Sequence, residues 1–179
     1  MCNDIEKVLI PKEEIATIVK NLGEQITKDF LGEELIVVCI LKGSCIFFSD
    51  LVREIKLDVK FDFMVLSSYG NSTTSSKDVK IIKDLSENIK GKNVLIVEDI
   101  IDSGRTIKSL TELLMVREPK CLKVVTMLDK PERREVDIVT DYNGKVIPDE
   151  FVIGYGLDYA QNYRNLKDIC VLSPSVYIK

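Results

Sequence analysis

The sequence predicts an α/β protein in which a mostly parallel central sheet is flanked by helices. A continuous apolar run at residues 35–41 and a mostly apolar run of strand length at 122–128 are typical of strands buried on both faces of a parallel sheet. Segments with helical spacing alternate with the strand-like runs, as in folds where helices connect parallel strands. A chain of 179 residues with 45% hydrophobic residues is expected to form a single domain, residues 1–179.

The first half of the chain contains predicted helices and strands in alternation. Apolar residues recur at helical spacing across residues 11–30 and stop before Gly32, which indicates an amphipathic helix. The buried strand at 35–41 breaks at Lys42-Gly43-Ser44 into a helix over residues 45–55. Residues 58–66 partly alternate between apolar and polar side chains, which predicts a strand, and a shorter strand is predicted at 79–83.

The second half is organised around residues 94–106. Four apolar residues lead into the acids Glu98 and Asp99, and a small-residue turn follows Asp102. This strand is expected to pass into a helix over about residues 105–117, before the strand at 122–128. Shorter strands are predicted at 138–139, 151–155 and 169–172, with turns at Asn143-Gly144 and Gly156.

Composition excludes several classes of function. The net charge of −4 argues against a broad nucleic-acid surface, and no nucleic acid is expected as a partner. No apolar run approaches the roughly 20 residues of a membrane span, and no secretory signal is visible, so the sequence predicts a cytoplasmic protein without a membrane partner. The five cysteines lack a C-x-x-C pair and are expected to be reduced. Histidine is absent, which excludes imidazole bases and histidine metal ligands.

Polar residues follow three predicted strands: Lys42-Gly43, the run from Glu98 to Thr106, and Asp129-Lys130. These strand ends are expected to meet in one crevice, because parallel strands end at the same edge of a sheet. The amides of residues 103–106 open a helix and suit a phosphate, whereas paired carboxylates suit ribose hydroxyls or Mg²⁺. The spacing matches neither the P-loop nor the dinucleotide fingerprint. The sequence therefore predicts a sugar-phosphate site with a cation; alternatively, these acids only end a strand and cap a helix.

The connection at residues 67–78 consists of twelve small or polar residues. That is too long for a routine connection inside a compact domain. Composition leaves two interpretations open, a mobile functional lid or simple disorder.

Residues 94–106 resemble the phosphoribosyl-diphosphate signature of type I phosphoribosyltransferases, in the form used by the 6-oxopurine enzymes. The similarity spans nearly the whole chain, in the short form typical of bacteria. The other stretches that agree in order are Leu41-Lys42-Gly43, Ser68-Tyr69, Leu128-Asp129-Lys130-Pro131, Phe151-Val152-Ile153-Gly154-Tyr155, Leu157-Asp158-Tyr159 and Arg164-Asn165-Leu166.

The resemblance implies an enzyme of purine salvage. Such enzymes transfer the 5-phosphoribosyl group from 5-phosphoribosyl 1-diphosphate to hypoxanthine or guanine, giving IMP or GMP and pyrophosphate. The reaction requires Mg²⁺ and passes through an oxocarbenium-like transition state. Asp102 corresponds to the catalytic residue beside N7 of the purine, and as a carboxylate it can accept that proton.

The resemblance assigns the remaining site residues to groups. The ribose and phosphate of the sugar diphosphate would be bound by Glu98, Asp99, Asp102, Ser103, Gly104, Arg105 (backbone only) and Thr106. Pyrophosphate would be bound by Leu41, Lys42, Gly43 and Arg164, and the purine by Lys130, Phe151, Val152 and Asp158. Ser68 and Tyr69 would close the lid, and Glu98, Asp99 and Asp158 would serve the metal.

The resemblance also implies a larger organisation. A core of about residues 35–140 would carry a hood built from the N-terminal residues and about 141–179, with the lid at 67–78. The peptide bond at Leu41-Lys42 would be cis, and the protein would form a homodimer or homotetramer. Ser44 and Ser103 replace a glycine and a threonine that are frequent in the family, and both keep an amide and a hydroxyl donor.

Two other classes of function are weighed against this enzyme. A regulator with the same fold could bind nucleotide or RNA without catalysis, but the acidic balance and the presence of Asp102 and Lys130 count against it. An α/β signalling domain could accept a phosphoryl group on a strand-end Asp, but it would leave Lys42-Gly43 and residues 151–158 unexplained. The sequence does not rank hypoxanthine, guanine and xanthine.

Overall fold

The computed structural model describes residues 4–67 and 80–177. The strands in these ranges are β1 (Ile5–Ile10), β2 (Leu35–Leu41), β3 (Val59–Ser67), β4 (Lys80–Lys83), β5 (Asn93–Ile101), β6 (Cys121–Asp129), β7 (Tyr142–Val146), β8 (Val152–Ile153) and β9 (Ile169–Leu172). The helices are α1 (Lys12–Asp29), α2 (Cys45–Glu54), α3 (Arg105–Met115) and α4 (Pro174–Tyr177), with a 3₁₀ turn at Pro131–Arg133.

The core sheet has the strand order β4-β3-β2-β5-β6-β7. All its neighbours pair in parallel except β4, which runs antiparallel to β3. Alternate residues of β2 and β5 point to opposite faces, so continuous apolar runs can bury both faces. Residues such as Val37 and Leu95 pack against α1 and α2, whereas Val38 and Ile96 pack against α3. The predicted fold class is confirmed.

A second, smaller sheet, which we call the hood sheet, has the order β1-β9-β8. Both of its strand pairs are antiparallel, and β8 lies at the edge. Its buried residues Ile153, Cys170 and Leu172 form a cluster of their own against the last helix and the segment after β8. The hood sheet therefore has a small cluster of its own on one side, whereas Ile10, Val152 and Ile169 of its strands belong to the cluster that α1 and α2 form on the core sheet.

The structure corrects several predicted elements. Residues 138–139 form no strand, because Ile138 instead packs over Gly104. The predicted turn at Asn143-Gly144 lies inside β7, and β7 extends the core sheet beyond the boundary near residue 140 that the resemblance implied. A Cβ on Gly144 would lie 2.5 Å from the Met127 carbonyl oxygen, so this glycine permits close strand approach rather than a turn.

Apart from β9, which coincides with the predicted strand at 169–172, the hood strands differ from the prediction. The predicted strand at 151–155 shortens to β8, because Gly154 and the residues after it form a turn. β1 and α4 were not predicted, since β1 contains charged residues and gains its partner only from β9, more than 150 positions away. Ser68, Tyr69 and the lid prediction lie outside the described residues. In the part of the chain that the structure describes, each helix is too short or too polar to cross a membrane.

Candidate active site

Three parallel strands bring polar residues to one edge of the core sheet. β2 ends at Leu41, β5 at Ile101 and β6 at Asp129, and Ile101 lies opposite Asp129 in the β5–β6 register. The Lys130 N–H donates to the Ile101 carbonyl oxygen at 2.9 Å, which fixes Lys130 beside the end of β5. The predicted polar strand ends thus share the edge where open α/β sheets bind ligands.

The loop after β2 is packed between β5 and the segment that follows β8. Its Leu41–Lys42 peptide bond is cis, as the resemblance implied. A Cβ on Gly43 would lie 1.6 Å from Oδ2 of Asp99, and a Cβ on Gly156 would lie 2.0 Å from the Gly43 carbonyl oxygen. Ordinary contacts of a Cβ begin at 3.4 Å, so neither position accommodates a side chain as it stands. The two glycines bring β2, β5 and the hood into direct contact.

Asp158 and Arg164 form a network on the hood side of this loop. Nη2 of Arg164 lies 2.8 Å from Oδ1 of Asp158, and Nη1 donates to the Gly156 carbonyl oxygen at 2.7 Å. Oδ2 of Asp158 accepts from the Gln161 N–H at 2.8 Å. The Arg164 guanidinium is therefore linked to Gly43 through Gly156.

The backbone around Asp158 adopts unusual conformations. Tyr155, Ala160, Gln161 and Tyr163 have positive φ angles of 51°, 49°, 68° and 73°. Such conformations cost on the order of 1–3 kcal/mol each and persist where the surroundings determine them, often at functional sites. The Tyr155 N–H donates to the Leu166 carbonyl oxygen at 2.9 Å, so hydrogen bonds across this loop help to offset the cost.

The two acids near the end of β5 lie in a poorly solvated part of the crevice. Burial, with a smaller contribution from the Asp99 carboxylate, raises the pKa of Glu98 well above its usual range. Burial also raises the pKa of Asp99 to about 6, although the Ile100 N–H and the Arg164 guanidinium oppose it. Oε2 of Glu98 is buried and accepts no hydrogen bond from any described residue. This oxygen is therefore available to a ligand hydroxyl or to a cation with its waters.

The turn from β5 into α3 is tight and is covered by the residues after Lys130. Gly104 has φ +81°, and a Cβ there would lie 2.7 Å from Cγ2 of Ile138. The Arg105 side chain pairs with Glu135. A small cavity of about 90 Å³ lies at this turn. It is lined by Glu98, Ile100, Ile101, Asp102, Ser103, Gly104, Thr106 and Ile107.

Lys130 spans from the end of β6 to the start of β8. Its Nζ donates to the Glu150 carbonyl oxygen at 2.6 Å and lies 3.9 Å from Oδ1 of Asp149. The Lys130 side chain is only 9% exposed. Burial lowers its pKa below the usual lysine value, although the nearby Asp102 carboxylate opposes the shift. The structure thus brings Lys130 next to Phe151 and close to Asp102.

Asp102 faces a cation that was not predicted from the sequence. Nε of Arg133 lies 2.9 Å from Oδ1 of Asp102, as an ion pair without hydrogen-bond geometry. Nη1 of Arg133 donates to Oδ1 of Asp149 at 3.4 Å. The available signal was the position of Arg133 three residues after Lys130, but the pairing depends on the 3₁₀ turn that follows β6.

Phe151 and Val152 lie at the edge of the hood sheet. The Leu172 N–H donates to the Phe151 carbonyl oxygen at 2.8 Å, and Val152 is the next residue in the β8–β9 register. Because hydrogen-bonded and non-hydrogen-bonded pairs alternate in antiparallel strands, the Val152 amide and carbonyl point away from β9. This backbone edge and the 38% exposed ring of Phe151 can contact a planar ligand.

Comparison with known proteins agrees with this geometry. The family model for the phosphoribosyl transferase domain matches residues 9–160. The chain is 53% identical over 177 residues to the hypoxanthine-guanine phosphoribosyltransferase of Staphylococcus aureus strain Mu50, covering 99% of each chain. It is 50% identical over 177 residues to the bifunctional protein TilS/HprT of Listeria monocytogenes strain F2365, covering 99% of this chain and 27% of that one.

This chain belongs to the phosphoribosyltransferase family. Solved structures of such enzymes share its fold. A hypoxanthine phosphoribosyltransferase from S. aureus superimposes with a TM-score of 0.96 at 52% identity, covering 100% of this chain and 97% of that chain. A mutant of the hypoxanthine phosphoribosyltransferase from Trypanosoma cruzi, solved as a ternary substrates complex, gives 0.94 at 41% identity, covering 98% and 99%. The family and enzyme class predicted from the resemblance are confirmed.

A larger cavity of this phosphoribosyltransferase lies away from the strand ends. Its volume is about 560 Å³, and α1, α2, Tyr155 and residues 165–167 line it. We do not assign the reaction to this cavity, because the predicted site residues lie outside it and the buried acids and Lys130 lie at the strand ends. Gly156 had been predicted only as a turn residue; its packing against Gly43 depends on the tertiary structure.

Proposed function

We propose that this protein transfers the 5-phosphoribosyl group of 5-phosphoribosyl 1-diphosphate to hypoxanthine or guanine in purine salvage, giving IMP or GMP and pyrophosphate. The observation that carries the proposal is the position of Lys130, a buried cation between Asp102 and the edge of β8. Relatives at 53% identity over nearly the full chain carry the name hypoxanthine-guanine phosphoribosyltransferase, which supports the same reaction.

The purine would be held between the core sheet and the hood sheet. Lys130 would donate to the 6-oxygen, which selects an oxo group over the amino group of adenine, because an amino group leaves the cation unpaired. Phe151 would stack on the ring, and the outward backbone groups of Val152 would meet its edge. We assign Asp158, which lies near the turn at Gly156, to the same end of the base.

Asp102 would accept the proton from N7 of the purine while the attacking nitrogen of the purine ring bonds to C1 of the ribose. A carboxylate suits this role in a chain without histidine. The ion pair with Arg133 keeps a positive charge at the carboxylate before the purine enters. The bond that breaks joins C1 to pyrophosphate, so positive charge develops on the ribose while negative charge leaves.

The sugar diphosphate would be held by the other two strand ends. The amides of Ser103, Gly104, Arg105 and Thr106, with the two hydroxyls, would bind the 5′-phosphate at the start of α3. The loop Leu41-Lys42-Gly43 and Arg164 would bind pyrophosphate, and fixed charges of this kind usually contribute most to catalysis. Glu98 and Asp99 would accept hydrogen bonds from the ribose hydroxyls.

The acids of the site fit Mg²⁺ as a cofactor. Magnesium prefers oxygen ligands and keeps several waters, so one or two carboxylates with substrate oxygens suffice. Glu98, Asp99 and Asp158 would hold the ion directly or through water, and the ion would neutralise the charge of the diphosphate.

Three further assignments are proposed on the resemblance. Ser68 and Tyr69 would close over the reacting carbon and exclude water. The protein would work in the cytoplasm as a homodimer or homotetramer. The free thiols of Cys39, Cys45, Cys121 and Cys170, among the residues that the structure describes, support a reducing compartment.

An assay with each purine, the sugar diphosphate and Mg²⁺ tests the proposal. We expect turnover of hypoxanthine and guanine, and poor turnover of adenine. Asp102→Asn should lower kcat at least about tenfold with little change in KM for the sugar diphosphate, because it removes only the proton acceptor. Near-normal turnover in that variant would remove Asp102 from this role. Salt-dependent RNA binding without purine turnover would favour the regulator instead.

A further inference from the structure

Three aromatic rings form a cluster at the end of the hood where Phe151 lies. The Phe151 ring stacks on Tyr177 with centroids 5.1 Å apart and an interplanar angle of 29°. Tyr159 meets Phe151 edge-on, at 5.6 Å and 87°. Tyr159 and Tyr177 also contact each other, with centroids 6.4 Å apart. Tyr177 therefore stacks on one face of Phe151, and the Tyr159 ring packs perpendicular to it.

The two tyrosines are held from the hood side of Phe151. Both pack against the buried cluster of Ile153, Cys170 and Leu172. α4 carries Tyr177 directly after β9, and the Ser173 N–H before this helix donates to the Asp4 carbonyl oxygen at 2.8 Å. The support for Tyr177 therefore comes from the hood, independently of the strand ends of the core sheet.

Lys130 approaches the same strand from the core sheet. Its Nζ donates to the carbonyl oxygen of Glu150, the residue before Phe151, and its positive charge is attracted by the Asp102 carboxylate. A planar base held by Lys130 would thus meet Phe151 from the core side. The face of Phe151 that Tyr177 leaves open, on a residue that is still 38% exposed, is the face available to that base.

We infer that Tyr177 is a positioning residue for purine binding: its ring backs Phe151 and fixes the stacking face before the base enters. The inference rests on the proposed function, since it requires Phe151 to stack on a purine. A side chain that is already ordered loses less conformational freedom on binding, so the backing ring should improve affinity for the base. It should leave the sugar-diphosphate end of the site unchanged, because the hood cluster, Tyr159 and Phe151, which Tyr177 packs against, lie on the purine side of the proposed site.

Steady-state kinetics of Tyr177→Ala, Tyr177→Phe and Val176→Ala test this inference. Val176 is the matched control, because it packs on the same hood cluster from the same short helix. We expect Tyr177→Ala to raise KM for hypoxanthine by about threefold to tenfold, the size of one aromatic pair. KM for the sugar diphosphate should change less than about twofold, and Tyr177→Phe should restore the wild-type KM, because it keeps the ring.

A double-variant cycle separates positioning from general loosening of the hood. In a Phe151→Ala background, Tyr177→Ala should have no further effect on KM for hypoxanthine, because the ring that it positions is gone. Equal increases in both KM values, the same increase in Val176→Ala, or a full effect in the Phe151→Ala background would overturn the inference. A fall in KM in Tyr177→Ala would also overturn it, since Tyr177 would then be competing with the purine.

The wild-type assay keeps the two proposals distinct. A wild-type protein that turns over no purine would contradict the proposed function. A wild-type protein that turns over hypoxanthine, with a Tyr177→Ala variant indistinguishable from it, would contradict only the role of Tyr177.

Discussion

Gly43→Ala perturbs the site at its closest contact. The added methyl group would lie 1.6 Å from Oδ2 of Asp99, whereas ordinary contact begins at 3.4 Å. Asp99 cannot easily turn away, because its Oδ1 accepts the Ile100 N–H at 2.7 Å. The Gly43 carbonyl oxygen also packs against Gly156 on the hood side. The loop between them must therefore shift, and Lys42 and the proposed pyrophosphate site would shift with it.

The size of the effect follows from this displacement. The shift needed exceeds about 1 Å, and a misplacement of about 1 Å can cost about a hundredfold in rate. We therefore expect kcat/KM for the sugar diphosphate to fall by about a hundredfold in Gly43→Ala. Overpacking of this kind also lowers the free energy of unfolding by about 1–3 kcal/mol. The φ angle of Gly43 lies outside the left-handed region, so the cause would be the contact and not the backbone conformation.

Kinetics and denaturant unfolding of Gly43→Ala, Asp99→Ala and the double variant provide the test. The Asp99→Ala background is the control, because it removes the carboxylate that the methyl group would meet. Gly43→Ala should destabilise the wild type but have little effect on stability in that background, giving a coupling free energy of about 1–3 kcal/mol. Additive losses of stability, or near-normal kcat/KM in Gly43→Ala, would refute the steric explanation.

Two further predictions concern pH. Burial lowers the pKa of Lys130, so its charge is lost at a lower pH than for an ordinary lysine. We therefore expect kcat/KM for hypoxanthine to fall on the alkaline side already below about pH 10.4. Lys130→Arg should shift this alkaline fall to higher pH, because arginine stays charged. An unchanged fall in Lys130→Arg would exclude Lys130 as its cause. Burial raises the pKa of Asp62, but hydrogen bonds from Phe63, Ser86 and Lys83 outweigh this effect and lower it overall. The ionised Asp62 carboxylate therefore stabilises the fold above the unfolded pKa of about 3.9, and this stabilisation is lost as pH falls through the lower folded value. In urea unfolding, Asp62→Asn should lower the free energy of unfolding by about 1–3 kcal/mol at pH 7 and by less at pH 3. A difference that does not depend on pH would contradict this prediction.

Local pattern was sufficient for strands that are apolar and buried along nearly their whole length. The predicted strand at 35–41 coincides with β2, and the strand at 169–172 coincides with β9. These runs were visible because a strand buried on both faces must be apolar at every position, which few other structures require. The helix predicted at 11–30 begins and ends within one residue of α1 for a similar reason, since its apolar stripe faces one layer.

Local pattern failed where a residue's role depends on a distant neighbour. Gly144 is typical of a turn in sequence, but it lies in β7 because the Met127 carbonyl oxygen approaches it. Ile138 and Val139 are two apolar residues typical of a strand, but Ile138 instead covers Gly104. In both cases the competing interaction comes from a part of the chain that a short sequence window does not include.

The fold class, the family and the reactive residues at the strand ends could all be predicted from the sequence. The central strand β2 is apolar along its length and is followed by polar residues where it ends, and the motifs of the family follow one another in order, so both signals are visible in the sequence. Which of these residues are in contact became visible in the three-dimensional structure. The contact of Gly43 with Asp99 and Gly156, the pairing of Asp102 with Arg133, and the stacking of Tyr177 on Phe151 join segments from different strands and from both sheets. Such contacts are set by the packing of the whole chain, and no local spacing encodes them.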